Sequence, residues 1–227
     1  MTENSIRLKI ASVFVFIGFL MTLGLTAVTL LLPGGSQLHE AMDPQIIIND
    51  LASASAADID IHLAGIVFDS FFIIGYMAIF YGLFVLTKDK EAFFPKLAFA
   101  LGLTTGFCDL VENAIQVALF NGIPAGWSPD GQYFATLWSF TFVKDLTSYM
   151  AGMIFIVLLM ITLSDPPNLR SSKLLLVILM GLYVVIGSIA VVESSFLLVR
   201  NMSFMVDMLL GALVLLRLSK AVHLQPG

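Results

Sequence analysis

The sequence predicts an all-α membrane protein, a bundle of about six transmembrane helices with both termini in the cytoplasm. Of its 227 residues, 59% are hydrophobic and 12% are charged, and the mean hydropathy is +0.97. A soluble domain has about 45–50% apolar and about 25% charged residues. Because each crossing of a hydrocarbon core of about 30 Å takes about 20 apolar residues, the length fits a single transmembrane domain over residues 1–227.

Long apolar runs locate the spans. They lack the alternation of barrel strands, so they are predicted to be helices, which satisfy their own backbone hydrogen bonds in lipid. The predicted spans cover residues 8–32, 57–87, 94–120, 133–163, 173–199 and 202–221. The first run follows two basic residues as a signal peptide would, but it exceeds the apolar core of about 7–15 residues and no A-x-A site follows. It is therefore predicted to remain as a span.

The loop over residues 33–56 is predicted to be external and to contain a short helix on the membrane surface. Pro33-Gly34-Gly35 ends the first span, and Asp43-Pro44 can begin a helix that continues through Leu51. Ser55 stands three residues before Asp58, which is the spacing of a capping box at the start of the second span.

The orientation follows from the distribution of Lys and Arg over the short loops, because these residues concentrate in cytoplasmic loops. Residues 33–61 and 121–132 contain neither residue type, so they are predicted to be external. The predicted cytoplasmic side carries Arg7, Lys9, Lys88, Lys90, Lys96, Arg170, Lys173, Arg217 and Lys220. Only Arg200, between the last two spans, departs from this rule. The protein is thus predicted to be a multi-pass membrane protein with cytoplasmic termini.

Several classes of function are excluded. The net charge of −5 and the lack of a basic stripe argue against binding to nucleic acid. Because Cys108 is the only cysteine, it cannot form an intramolecular disulfide. His62, at the start of the second span, is interpreted as a solvated side chain and not as a metal ligand. There is no P-loop, G-x-S-x-G or H-E-x-x-H motif and no histidine cluster, so no metal site is predicted and the cofactor is unknown. Membrane lipids are the expected partners, with a second copy or a membrane complex as further candidates.

The informative residues are ionisable side chains inside apolar runs, because a charge at the bilayer centre costs about 2.5–3.5 kcal/mol and normally faces the bundle interior. These residues are Asp69, Asp109, Glu112, Lys144, Asp145, Glu193 and Asp207. Counting about 1.5 Å per residue from the cytoplasmic end of each span puts the acids at a common depth in the outer half of the bilayer.

The third span carries the strongest pattern. Asp109, Glu112, Asn113 and Gln116 stand at i, i+3, i+4 and i+7 and share one helix face. Gly102 and Gly106 extend that face as a G-x-x-x-G, which permits close helix packing, so this span is predicted to be central. Two carboxylates one turn apart suit proton transfer or cation binding. The alternative is a polar packing face satisfied by neighbouring side chains.

Neighbouring spans offer partners for these acids. Asp69 and Tyr76 are predicted to face inward from the second span, and Asp145, Ser148 and Tyr149 form a polar strip on the fourth. Lys144 borders that strip and is the expected partner of the acids, whereas interfacial solvation is the alternative for Asp69 and Asp145. In the last two spans, the favoured arrangement is a bridge from Arg200 to both Glu193 and Asp207.

Three functions fit this pattern, and a membrane-embedded enzyme that acts on a lipid or isoprenoid by acid–base chemistry is placed first. The alternatives are a carrier coupled to protons or cations and a structural subunit of a membrane complex. The predicted catalytic residues are Asp109, Glu112, Asp69, Asp145 and Lys144. The predicted substrate-binding residues are Asn113, Gln116, Tyr76, Tyr149, Glu193 and Asp207. Mg²⁺ or Ca²⁺ held by the acids is a further alternative, because those ions prefer oxygen ligands.

Overall fold

A computed structural model of the chain describes residues 2–31, 43–89, 93–163, 169–193 and 196–223. Within these residues the chain forms α-helices and no strands. The helices are α1 (Glu3–Leu31), α2 (Pro44–Ser53), α3 (Ala56–Thr87), α4 (Phe93–Gly122), α5 (Gly131–Ile161), α6 (Arg170–Val192) and α7 (Leu197–His223).

Six of these helices, all except α2, are long and apolar enough to cross a membrane, which confirms the predicted all-α membrane fold. The predicted caps are also confirmed. The side chain of Asp43 accepts a hydrogen bond from the backbone of Gln45 at the start of α2, and Ser55 and Asp58 form the capping box of α3. The predicted end of the first span at Pro33-Gly34-Gly35 lies outside the described residues.

The boundary between the last two spans differs from the prediction. The predicted fifth span ran to residue 199, but α6 ends at Val192 and α7 begins at Leu197. Glu193, at the end of α6, has an extended backbone with φ −128°. Hydropathy did not reveal this break, because only three polar residues of the sequence, Glu193-Ser194-Ser195, separate two apolar stretches. Glu193 therefore caps α6, whereas Arg200 lies in α7, so the two residues do not share one helix face.

The long helices form a closed ring. Each packs on its neighbours in chain order, from α1 to α3, α4, α5, α6 and α7, and α7 packs back on α1. Helix α3 also contacts α5 and α7, whereas the main neighbours of α4 are α3 and α5. The prediction that the third span is central is therefore wrong, because α3 holds that position.

The backbones of α1 and α3 approach each other closely at one crossing. A Cβ atom added to Gly75 would lie 2.5 Å from the Cα atom of Gly18, so only glycine fits at this crossing. The predicted tight packing at Gly102 and Gly106 is confirmed, but the neighbours there are the side chains of Phe80 and Met77 on α3 rather than backbone.

Two hydrophobic clusters fill the ring at different heights. We call the end of the bundle next to α2 the α2 end. The opposite end, where α1 begins and α7 ends, is called the terminal end. The cluster nearer the terminal end includes Phe80, Leu83, Ala98, Phe155 and Leu159. The cluster nearer the α2 end consists of Ile47, Leu51, Ile66, Leu119, Phe120, Ile123, Phe134 and Leu137. A polar layer lies between them on α3, α4 and α5.

Candidate functional site

Three charged residues lie at one level of the bundle. Asp69, Asp109 and Lys144 are each 13 residues from the α2 ends of α3, α4 and α5. At 1.5 Å per residue this distance is about 20 Å, which is well inside helices that could span a bilayer. The common depth predicted from the sequence is therefore observed for these helices.

Lys144 holds the two acids of α4 together. Its Nζ atom donates a hydrogen bond to Oδ1 of Asp109 at 3.1 Å and forms an ion pair with Oε2 of Glu112 at 2.7 Å. The exposed fractions of the side chains are 20% for Lys144, 10% for Asp109 and 3% for Glu112. Lys144 is thus confirmed as the partner of these acids, and it is the most accessible member of this ion triad.

Neutral side chains complete the layer around the ion triad. The hydroxyl of Tyr76 donates to Oδ2 of Asp109 at 2.8 Å, and Nε2 of Gln116 donates to Oε1 of Glu112 at 3.2 Å. On the other side, Nδ2 of Asn113 donates to Oδ2 of Asp69 at 2.8 Å. Each of these three carboxylates therefore accepts at least one hydrogen bond from a neighbouring side chain, which limits its rotamers.

Charge in the layer is unbalanced. Asp109 and Glu112 act electrostatically on both Asp69 and Asp145, and Lys144 is the cation that acts on all four acids. Asp145 also lies in the field of Arg200, but its carboxylate makes no hydrogen bond or ion pair with any described residue. The layer must therefore share protons or admit further positive charge, since buried like charges repel strongly at low dielectric.

A row of aromatic rings continues the layer toward α6 and α7. The ring centroids of Tyr149 and Tyr183 are 5.6 Å apart, and those of Tyr183 and Phe204 are 5.2 Å apart. Phe204 is 6.3 Å from Phe72, and Phe72 is 5.3 Å from Tyr76. We call these five residues the aromatic row. It joins α5, α6, α7 and α3 to the acids of α4.

The sequence interpretation missed three members of this row, Tyr183, Phe204 and Phe72. Ser148 shares a short hydrogen bond with the hydroxyl of Tyr183, so the predicted polar strip on the fourth span continues onto α6. The available signal was Tyr183 itself, a phenol in the middle of the otherwise apolar α6. Phe204 and Phe72 carried no signal, because phenylalanine is frequent throughout the chain.

The prediction that Arg200 bridges Glu193 and Asp207 is wrong for Asp207. Asp207 makes no hydrogen bond or ion pair with a described residue, and its buried Oδ2 atom has no partner there. The Arg200 guanidinium instead bonds Oδ1 of Asn201 at 3.3 Å and lies 5.8 Å from the ring centre of Phe204. Glu193 is exposed at the end of α6, away from the ion triad.

The alternative of a metal held by the acids finds no support in this geometry. Among the described residues, no group of three or more His, Cys, Asp or Glu side chains is arranged to hold an ion. Asp109 and Glu112 are linked through Lys144, whose ammonium group occupies the position that a metal cation would take.

The polar cavity that was predicted to open beyond the acids is not where it was expected. The hydrophobic cluster of α2, α3, α4 and α5 covers the acids at the α2 end, with Leu51 and Phe134 fully buried. Two hollows in the described structure are apolar and lie on α1, α3 and α4, against residues such as Ile10 and Phe14. Lys144 and Asp145 on α5 and the residues of the aromatic row are half-buried, so this part of the layer keeps some exposed surface.

Comparisons with known proteins do not identify a family. No family model matches the chain, and no curated protein or solved structure matches it either. The chain is thus an integral membrane helix bundle by its six apolar helices, and its function has to be argued from the ion triad and the row beside it.

Proposed function

We propose that this protein is a membrane-embedded enzyme that acts on a lipid or isoprenoid substrate by acid–base chemistry at the ion triad. The observation that carries the proposal is Lys144, whose ammonium group bridges Asp109 and Glu112 about 20 Å inside the bundle. Ionisable groups at such depth are costly and are retained mainly where they handle protons, ions or substrates.

The contacts in the layer suit proton exchange. Lys144 lies within 3.1 Å of Asp109 and 2.7 Å of Glu112, distances that permit proton transfer between neighbours. In the proposed reaction, one carboxyl group of the pair donates a proton to the substrate and the other carboxylate removes one. The proton returns through Lys144, so the layer ends in its starting charge state. Asp69 and Asp145 stabilise the positive charge that develops on the substrate.

The surrounding groups support this division of roles. Tyr76 and Gln116 each donate a hydrogen bond to one acid of the pair, so the two acids are held in different surroundings. Different surroundings separate the proton affinities of paired acids, which is what distinct acid and base roles require. Lys144 is the most accessible of the three, which makes it the group that a substrate meets first.

A carrier with alternating access is less well supported. Such a protein needs polar groups on both sides of its site, and the terminal half of the ring is filled by an apolar cluster that includes Leu83, Phe155 and Leu159. An enzyme needs access from one side only.

A structural role is the second candidate, because a specific observation favours it. The contacts of the layer join α3 to α4 through Tyr76 and Asn113, and α4 to α5 through Lys144. Hydrogen bonds between membrane helices contribute about 0.6 kcal/mol each on average, so such contacts can hold a bundle together without any chemistry.

The test is conversion of lipids by the purified protein in proteoliposomes made from a total lipid extract of its own membranes. Untargeted mass spectrometry would compare wild type with Glu112→Gln and Asp109→Asn, with Leu110→Ala as a lipid-facing control on the same helix. We expect one lipid class to be consumed by wild type and control but not by the acid variants.

The alternatives give different results in the same liposomes. If an enclosed pH-sensitive dye reports a proton flux while the lipids stay unchanged, the protein is a carrier and not an enzyme. No conversion and no flux in wild type, together with unfolding of the acid variants, would leave the structural role.

A further inference from the structure

Beside the ion triad, the aromatic row consists of residues that are not fully buried. Tyr149, Tyr183, Phe204, Phe72 and Tyr76 are all half-buried, although each contacts another ring of the row. Because α3, α5, α6 and α7 each contribute to it, the row faces the inside of the ring rather than a single lipid-exposed helix surface. Open ring faces in a negatively charged interior attract cations.

A cation already lies on this surface. The guanidinium of Arg200 is 5.8 Å from the centre of the Phe204 ring, which is within the range of a cation–π contact. Arg200 shows that the ring accepts a planar organic cation.

Two buried oxygen atoms beside the row lack partners. The hydroxyl of Tyr149 and Oδ2 of Asp207 are enclosed but make no hydrogen bond within the described part of the chain. Asp207 follows Phe204 by three residues on α7, so the two side chains share a helix face. Buried polar atoms are rarely left without a partner, and each of these oxygen atoms can accept a hydrogen bond from a cationic group that carries N–H donors.

From these observations we infer that the aromatic row binds the ammonium head group of an amphiphile. The rings contribute cation–π contacts and Asp207 and Asp145 contribute the counter-charge to any ammonium group, whereas Tyr149 accepts a hydrogen bond only from an ammonium group that carries N–H. The inference rests on the proposed function in one respect, since it names the substrate of the same layer as an amino lipid or another long-chain amine.

The charge of the neighbourhood also favours a cation over an anion. Asp69, Asp109, Glu112 and Asp145 outnumber the cations that act on them, Lys144 and Arg200, among the described residues. An anionic head group would have to approach these carboxylates, whereas an ammonium group reduces their mutual repulsion.

The test uses amphiphiles that share one tail and differ in head group. Dodecylammonium and dodecyltrimethylammonium carry the cation, dodecanol is neutral and dodecanoate is anionic. Each is added in micromolar amounts to the full-length protein in maltoside micelles, and binding is followed by the rise in Tm and by isothermal titration. We expect both cations to bind and to raise the Tm more than dodecanol or dodecanoate does.

Variants on α7 should change this binding in opposite directions. Phe204→Leu and Asp207→Asn should each weaken the binding of dodecyltrimethylammonium by roughly tenfold, which corresponds to about 1.4 kcal/mol of binding free energy. Arg200→Gln should strengthen it, because the ring of Phe204 becomes free for the ligand. Arg217→Gln, an exposed arginine at the other end of the same helix, is the control and should bind as wild type does.

Three outcomes would overturn the inference. Equal binding of the cations and dodecanol would mean that the row is packing alone. Tighter binding of dodecanoate, lost in Arg200→Gln, would make the row an anion site. If Phe204→Leu and Asp207→Asn fail to fold, cation binding by Arg200→Gln is the deciding measurement. Weaker cation binding in Arg200→Gln than in wild type would contradict the inference. Because no turnover is measured, this result is independent of whether lipids are converted.

Discussion

Replacing Lys144 by methionine removes one charge from the ion triad while keeping most of the side-chain length. At an effective dielectric of about 20, two unit charges about 3 Å apart attract each other by about 5 kcal/mol. Much of this attraction is offset by the cost of burying the charges, but removal of one partner leaves the others uncompensated and costs about 3–5 kcal/mol. Lys144 keeps 20% of its side chain exposed, so we expect a value near the lower limit.

Thermal unfolding in maltoside micelles measures this effect, with tryptophan fluorescence as the signal. A loss of about 3 kcal/mol should lower the Tm by about 6–12 °C in a chain of this size. Lys96→Met, which replaces an exposed lysine near the terminal end of α4, should change the free energy of unfolding by less than about 0.5 kcal/mol.

The double variant Lys144→Met with Glu112→Gln makes the test specific. Because it removes one of the two uncompensated carboxylates, it should be more stable than Lys144→Met alone, although it carries one more substitution. An unchanged Tm in Lys144→Met, or simple additivity in the double variant, would refute the claim that the three charges form one buried unit.

Three further predictions concern the fold. Gly75→Ala should destabilise the protein by about 1–3 kcal/mol, because the new Cβ atom would meet the backbone of Gly18. Gly181→Ala is the control and should leave the stability unchanged, because its Cβ atom would meet nothing within 4 Å. Equal losses of stability in the two variants would contradict the close crossing of α1 and α3. Leu51→Ala should lower the free energy of unfolding by about 2–5 kcal/mol, because the side chain of Leu51 is fully buried where α2 packs on the bundle. A negligible change in Tm would mean that α2 does not pack on the bundle. In a background with Cys108 replaced by alanine, an impermeant thiol reagent should label Ser128→Cys from outside and Ser171→Cys from the cytoplasm. The reverse labelling pattern would mean that the orientation is opposite to the predicted one.

The helices themselves were predictable because hydropathy reports them directly. Residues that must lie in hydrocarbon are apolar, and an apolar run of span length can only be a helix. The capping box at Ser55 was also readable, since it depends on two residues at a fixed local spacing. The break after Val192 was not, because the chain stays apolar on both sides of it and only tertiary structure shows that the helix ends.

Part of the site was readable for a similar reason. A common helix face for Asp109, Glu112, Asn113 and Gln116 follows from helix geometry, and the choice of Lys144 as their partner follows from the lack of other buried lysines near their depth. How the helices pack is not encoded in periodicity. The central position of α3 and the aromatic contact across α7 depend on which helices become neighbours, and no local pattern of residues determines that.

The measurement that most directly tests the proposed function separates chemistry from folding at Glu112. Glu112→Gln keeps the size of the side chain and its hydrogen bond with Gln116, and Lys144 keeps its bond to Asp109. Lipid conversion in proteoliposomes and Tm in micelles would be measured on the same preparations of wild type, Glu112→Gln and Leu110→Ala. We predict that Glu112→Gln loses conversion by a factor of about a hundred or more, as expected for removal of a general acid or base, while its Tm stays within a few degrees of wild type. Full conversion by Glu112→Gln, or a loss that merely follows its unfolding, would contradict a catalytic role for the ion triad.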